Sequence, residues 1–213
     1  MSPRPKKLLV LRWLPRRLML TERPYGGSGL YLTFDDGPHP DVTPALLDLF
    51  AEHAVHATFF LLGKNAERYP QIVQRIVAEG HAIGNHSYSH PRMNQIDLAA
   101  QRAEIDRTDR ILATFNGTTR HWFRPPSGAL PLNMLFDFAR RRRDIAYWSY
   151  DSMDYQRNGA AVLCDRLRAH PPRSGDIVLM HDDDADTLAA LRELLPEWRA
   201  AGHAMEALPA EAK

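Results

Sequence analysis

The sequence predicts a single-domain α/β fold with about seven parallel strands. Three observations carry that prediction. Short apolar or β-branched runs alternate with amphipathic helical segments from residue 30 almost to the C-terminus. No internal repeat, low-complexity stretch or linker divides the 213 residues, a length suited to one good-sized core. Ionisable residues collect directly after the strand-like runs. Strand–helix–strand alternation implies parallel neighbours, because each crossover needs a helix. Periodicity leaves a (β/α) barrel and an open doubly wound sheet both available.

The elements follow in order. Residues 30–34, Leu-Tyr-Leu-Thr-Phe, read as the first strand. Thr43-Pro44 reads as a helix start, with Thr43 as N-cap and Pro44 at the first helical position. Leu46, Leu47, Leu49 and Phe50 supply its apolar residues. Residues 57–62 are a short buried strand. Residues 70–79 form an amphipathic helix with Ile72, Val73, Ile76 and Val77 on one face and Gly80 as its stop. Residues 81–85 are the next strand, and a longer helix covers about 96–115. A strand ends at 122–124, a helix covers 132–142, and 145–150 are extended. Residues 160–169 are helical, 176–180 a strand, 187–200 helical and 203–208 a last strand. Residues 1–28 read as an N-terminal extension and 29–213 as the one folded domain.

Composition excludes some classes of function. The net charge of +1 gives no strong field towards nucleic acid. The one cysteine, Cys164, permits no intrachain disulfide and reads as a helix-packing residue. The apolar run at residues 8–11 is cut by Arg12, far short of the ~20 residues of a membrane span. It also lacks a signal-peptide pattern. The expected location is cytoplasmic. Residues 6–20 mix basic and apolar side chains. They read as an unstructured or strand-forming arm, with weak contact to the inner-membrane surface as the alternative.

Asp35 and Asp36 follow the first strand, His86 and His90 the third, Arg124 closes the fourth, Asp151 and Asp154 follow the fifth, and His181 the sixth. In a parallel barrel these positions share one mouth, where such folds build their active sites. His86 and His90 are four apart, so on a helical turn both rings face one side. Two histidines and a carboxylate form a common divalent-metal set. Two adjacent carboxylates, Asp35 and Asp36, need a cation or an arginine to coexist ionised. His181, after a buried strand and near carboxylates, suits a general acid. Taken singly, each feature also fits a surface pair, a solvated Asp-Asp-Gly-Pro turn or an exposed histidine.

The segments Thr33-Phe34-Asp35-Asp36-Gly37-Pro38, His86-Ser87-Tyr88-Ser89-His90, Arg124-Pro125-Pro126, Asp151-Ser152-Met153-Asp154 and Leu179-Met180-His181-Asp182 occur in this order. Together they resemble the NodB-homology polysaccharide deacetylases of carbohydrate esterase family 4. The resemblance spans about residues 30–208 and implies an irregular (β/α) barrel. It implies that Asp36, His86 and His90 hold one divalent ion, zinc in the main with cobalt or nickel as alternatives. It implies Asp35 as the base and Arg124 as the group that keeps it ionised and oriented. His181 is then the acid, with Asp154, or else Asp151, supporting it. The backbone N–H of Ser127 would share the oxyanion, and Leu179 would line the acetyl pocket. Ser127 stands where the family has an aromatic residue, and Tyr155 where it often has tryptophan. Both departures touch the substrate groove rather than the chemistry.

The expected function is metal-dependent removal of N-acetyl groups from amino-sugars of a glycan or oligosaccharide. The rivals are a deacylase or deformylase of a lipid-linked amino-sugar, a silent glycan-binding module and a metallophosphoesterase. The last lacks a second ligand set, and the silent module is disfavoured because every ionisable member of the machinery is present.

Overall fold

In the computed structural model, residues 3–15, 18–22 and 29–209 are described. The elements begin with α1 (Leu8–Leu11), β1 (Met19–Leu20), β2 (Gly29–Asp35), α2 (Val42–Glu52), β3 (Thr58–Leu61), α3 (Gly63–Arg68), α4 (Pro70–Ala78), β4 (Ala82–Asn85) and α5 (Leu98–Asn116). They continue with α6 (Leu132–Arg141), β5 (Ile145–Ala146), β6 (Tyr150–Asp151), α7 (Ala160–Ala169), β7 (Ile177–His181), α8 (Ala185–Ala200) and β8 (Ala204–Met205).

All strand pairs are parallel, in the order β4-β3-β2-β7-β6, with β8 on the first residues of β2 and β1 on β5. Single bridges join Asn85 to Phe123 and Phe123 to Ile145. Residues 145–151 then run from that edge to β7, where β6 pairs. The strands thereby close into the irregular barrel.

The two-residue period of each strand decides what lies inside. Leu30, Leu32 and Phe34 of β2 face the helices, with Phe59 and Leu61 of β3 and Val178 and Met180 of β7 in the same cluster. Their neighbours Tyr31, Phe60, Ile177 and Leu179 belong to a second cluster with Phe123 and Tyr147. Thr33 and Asp35 share the phase of Tyr31, and His181 that of Ile177 and Leu179, so these polar groups continue the inner face. The register sets Asp35 beside His181 at the strand ends.

Several expectations change. Thr43 is not the N-cap of α2: the cap is Asp41, without a side-chain bond, and Thr43 is buried in the first turn. Its hydroxyl accepts from the His39 N–H and donates to Asp182, so a tertiary contact uses the group that capping would have used. The expected strands at 122–124 and 203–208 shrink to a bridge at Phe123 and the pair Ala204–Met205. Short α3 was not expected; at six residues it carries no readable period. Helix α5 starts at a capped position, where Asp97 accepts from Ala100 N–H. Cys164 is buried under α8, as expected of a packing residue.

The N-terminal arm is ordered by contact with the barrel. Beyond α1, β1 pairs with β5 through Met19 and Leu20, while Leu11, Leu14 and Leu18 pack on the inner cluster. Residues 1–2, Arg16, Arg17 and 23–28 of that arm lie outside the described residues.

Gly84 of β4 sits against the buried Phe60 ring, and a Cβ there would lie 2.5 Å from it. Phe60 is fully buried and cannot swing away. Gly84→Ala should therefore cost about 1–3 kcal/mol, the usual range for overpacking. A urea midpoint equal to wild type would contradict this packing.

Candidate active site

The inner face meets an arginine. Arg124 is fully buried, and its guanidinium donates to Asp35 Oδ1 at 2.8 Å and to Thr33 Oγ1 at 2.7 Å. It also donates to the Ala146 and Tyr147 carbonyls at 3.1 and 3.3 Å. The Phe60 ring lies 4.0 Å from its Cζ. A buried cation needs this full set of partners, because each unmet N–H would leave the desolvation cost standing.

The backbone of the same residue fixes a histidine. The Arg124 carbonyl lies 2.8 Å from His86 Nδ1. A carbonyl only accepts, so Nδ1 carries the proton and Nε2 presents a lone pair. Burial pushes His86 down to about 3, which keeps the ring neutral. His86 Nε2 lies 3.6 Å from Asp36 Oδ1, and His90 Nε2 lies 3.4 Å from the same oxygen. These three donor atoms lie within 4.8 Å of one another. Asp36 Oδ1 is buried and has no hydrogen-bond partner among the described residues. An orphaned buried carboxylate oxygen facing two imidazole nitrogens is the donor set of a divalent cation. The residues present fit such an ion.

The His-x-x-x-His spacing works differently from the expected helical turn. Residues 86–90 form a loop with Ser87 at φ 69° and His90 at φ 65°. Asn85 Oδ1 holds the Ser87 N–H, Ser87 Oγ holds that of His90, and Glu104 of α5 takes the N–H groups of Tyr88 and Ser89. Side-chain acceptors thus replace helical carbonyls and still bring the two rings to 5.2 Å between centroids. Asp36 is also at positive φ, 76°, a costly conformation for aspartate that aims its carboxylate at them.

Across the mouth, His181 Nδ1 pairs with Asp154 Oδ1 at 2.9 Å. Asp154 Oδ2 also accepts the His181 backbone N–H at 2.6 Å and the Thr187 hydroxyl at 3.0 Å. Burial opposes charge on His181, but the Asp154 hydrogen bond and carboxylate outweigh it and push the imidazolium up to about 10. Burial likewise opposes ionisation of Asp154, and the same hydrogen bond overcomes it, holding that carboxyl low. Burial pushes Asp35 up, with Arg124 opposing. Asp151 is held up mainly by burial and sits on the cavity wall.

A cavity of about 580 Å³ collects these groups. Asp35, Asp36, His86, His90, Ser127, Tyr155, Leu179 and His181 all line it, while Arg124 and Asp154 stand behind it. Ser127 has φ 53° in a tight turn on the wall. Tyr155, half exposed, sets its ring edge-on to His181 at 5.8 Å. Sequence reasoning missed six lining residues, Pro5, Lys6, Lys7, Gly128, Tyr147 and Trp148. Tyr147 and Trp148, stacked at 4.0 Å, form one wall. Lys6 and Lys7 reach the cavity from the N-terminal arm. The aromatic pair had a readable cue, an extended segment feeding Asp151; the lysines had none, since residues 1–28 carry no strand–helix alternation.

The family profile described as polysaccharide deacetylase matches residues 22–141. A peptidoglycan-N-acetylglucosamine deacetylase of Bacillus cereus is 35% identical over 201 residues, covering 92% of this chain and 73% of the relative. A chitooligosaccharide deacetylase of Sinorhizobium fredii is 36% identical over 220 residues, covering 96% of this chain and 98% of the relative. The crystal structure of the Bc1960 peptidoglycan N-acetylglucosamine deacetylase, in complex with 4-naphthalen-1-yl-N-oxidanyl-benzamide, superposes with a TM-score of 0.84 at 35% identity. That match covers 90% of this chain and 91% of the other.

The His181–Asp154 pair predicts a titration. The folded imidazolium stands above the unfolded value of 6.5, so its stabilising contribution is complete below that pH and is lost as pH rises through about 10. Asp154→Asn removes the charge that raises it. An NMR titration of the His181 ring should show the midpoint falling by more than about one unit. An unchanged midpoint would contradict the assignment of Asp154 as its support.

Proposed function

The chain belongs to the polysaccharide deacetylase family and is an N-deacetylase hydrolase, and from that premise we propose that it removes N-acetyl groups from amino-sugars of a glycan or oligosaccharide by metal-assisted hydrolysis. The observation that carries the reading is the convergence of a buried carboxylate, an aspartate-paired imidazole and a three-donor set on one cavity. The relatives' names point to peptidoglycan and chitooligosaccharides, and N-acetylglucosamine units are the proposed substrate class.

Asp36, His86 and His90 would hold the cation, zinc in this proposal, with cobalt or nickel as alternatives. When bound, it supplies Lewis acidity towards the acyl carbonyl and the attacking water. Asp35 takes a proton from that water, and Arg124 keeps its carboxylate oriented. As the water oxygen bonds to the acyl carbon, the Ser127 backbone N–H donates to the negative charge that develops on the acyl oxygen. His181 gives its Nε2 proton to the leaving nitrogen, since Nδ1 is committed to Asp154 and an amide anion leaves poorly. The C–N bond breaks to give a free amine and acetate. Leu179 forms the wall against the acetyl methyl, and Tyr155 flanks the sugar. A silent glycan-binding role would need neither the Arg124–Asp35 pair nor the Asp154–His181 pair.

Acetate release from chitotetraose and from peptidoglycan, with and without a chelator, tests this reading. Turnover should vanish on chelation and return with added zinc. His86→Ala and His90→Ala should lower metal content and turnover together, by more than the ~10–100-fold typical of losing an outer-shell partner. Full metal content in both variants by elemental analysis would overturn the ligand set.

A further inference from the structure

We propose that N-terminal residues 5–7, tied down through Pro3 and Arg4, are a fixed wall of the substrate cleft, and that Lys6 and Lys7 form a subsite for an anionic group carried beside the acetamido sugar. The proposal rests on the N-deacetylase reading and narrows its substrate class.

The segment is tied to the barrel beside β6 and at the start of β7, and runs from there to the catalytic mouth. Arg4 makes a two-pronged pair with Asp176, at 3.0 and 2.8 Å. Asp176 is buried, and its carboxylate also accepts from Ser149 Oγ and the Arg173 N–H, so the anchor point is itself held in place. The Pro3 carbonyl accepts the Asp151 N–H at 2.7 Å. Asp151 lines the cavity and is the last residue of β6. Ties on the adjacent residues Pro3 and Arg4 set the direction of the chain, and the next three residues, Pro5, Lys6 and Lys7, line the same cavity as the metal-type donors. Proline at position 5 fixes φ between the tie and the lysines.

Both lysines are exposed, and neither has an ion-pair partner among the described residues. The acidic groups of the cavity already have roles: Asp35 pairs with Arg124, Asp36 faces the two imidazoles, and the Asp151 carboxylate accepts the Met153 N–H at 2.9 Å. The ammonium groups are therefore free to meet a charge brought by the ligand. A cleft edge of one sign draws in and orients a substrate of the other. A neutral chitooligosaccharide offers no such charge. A glycan with a carboxylate on the neighbouring unit, or an amino-sugar on a phosphodiester, does. The same arm exposes Leu9 (70%), Val10 (72%) and Trp13 (89%), a pattern that also fits an anionic lipid surface. The cavity position of Lys6 and Lys7 favours the glycan-borne anion.

Three probes compare the sources by kcat/KM for acetate release: neutral chitotetraose, the N-acetylglucosamine–N-acetylmuramic acid disaccharide, and the benzyl phosphodiester of N-acetylglucosamine 1-phosphate. The wild type should prefer at least one anionic probe by ~10-fold through KM, and the preference should shrink in high salt. The responding probe identifies carboxylate or phosphodiester. Lys6→Glu/Lys7→Glu should abolish or reverse that preference. Arg4→Ala, which keeps both lysines, should weaken it, because the wall is then untied. Equal preference ratios in wild type and the double variant would overturn the proposal. So would a double variant that loses only its binding to vesicles of phosphatidylcholine with phosphatidylglycerol, which would assign the lysines to a lipid surface. Absence of turnover on all three probes, chitotetraose included, would instead defeat the deacetylase reading and this inference with it.

Discussion

The structure depends on one buried cation. The Arg124 guanidinium sits inside a barrel only a few strands wide, and its donors reach β2, β5 and residue 147. Removing such a charge from water costs several kcal/mol, and only a near-complete set of acceptors offsets it. That requirement explains otherwise odd choices. Thr33 is a polar residue in the middle of a fully buried strand because its hydroxyl accepts from Arg124 and donates to the Val178 carbonyl at 2.6 Å. The regular strand pattern breaks after Ala146, where carbonyls turn to the arginine instead of a neighbouring strand. The Arg124 carbonyl then orients His86. One residue thus couples the proposed base to one of the proposed metal ligands, through its side chain and its backbone respectively.

The electrostatics follow from what each group is buried with. Asp35 and His181 lie side by side in the register of β2 and β7, yet burial affects them oppositely in outcome. Asp35 has a cation that moderates its upward push, while His181 has an anion that overturns the downward one. A carboxylate able to take a proton and an imidazolium able to give one are left facing one cavity, the arrangement that acid–base hydrolysis requires. Asp182 extends the theme: it is fully buried beneath Gly37, burial pushes it up to about 7, and Thr43 holds one of its oxygens. A Cβ on Gly37 would lie 2.2 Å from that carboxylate, so only glycine fits after the Asp35–Asp36 pair.

Much of this was legible in the sequence because it follows from local periodicity. Strands β2, β3, β4 and β7 and helices α2, α4, α5, α6, α7 and α8 all match readable apolar patterns, and the ionisable residues after the strands do meet at one mouth. What was not legible depends on partners distant in sequence. The loop at 86–90 is shaped by Glu104, the Thr43 hydroxyl is taken by Asp182, and Arg4 finds Asp176 172 residues away. No single helical or strand period contains both members of these pairs. The resemblance supplied candidate roles for Asp35, Asp36 and His181, which spacing alone left open. The geometry adds the tautomer of His86 and the pairing of His181 with Asp154 rather than Asp151.

Arg124→Lys tests the central claim most directly, because it keeps the charge and removes the fork. An ammonium has three donors from one atom and cannot span Asp35, Thr33 and two carbonyls as the planar guanidinium does. The measurement is kcat for acetate release from chitotetraose, with bound metal determined on the same folded sample. The account predicts that metal remains, held by Asp36, His86 and His90, while kcat falls at least ~10²-fold because Asp35 loses its orientation. A folded, metal-loaded Arg124→Lys enzyme with wild-type kcat would contradict it.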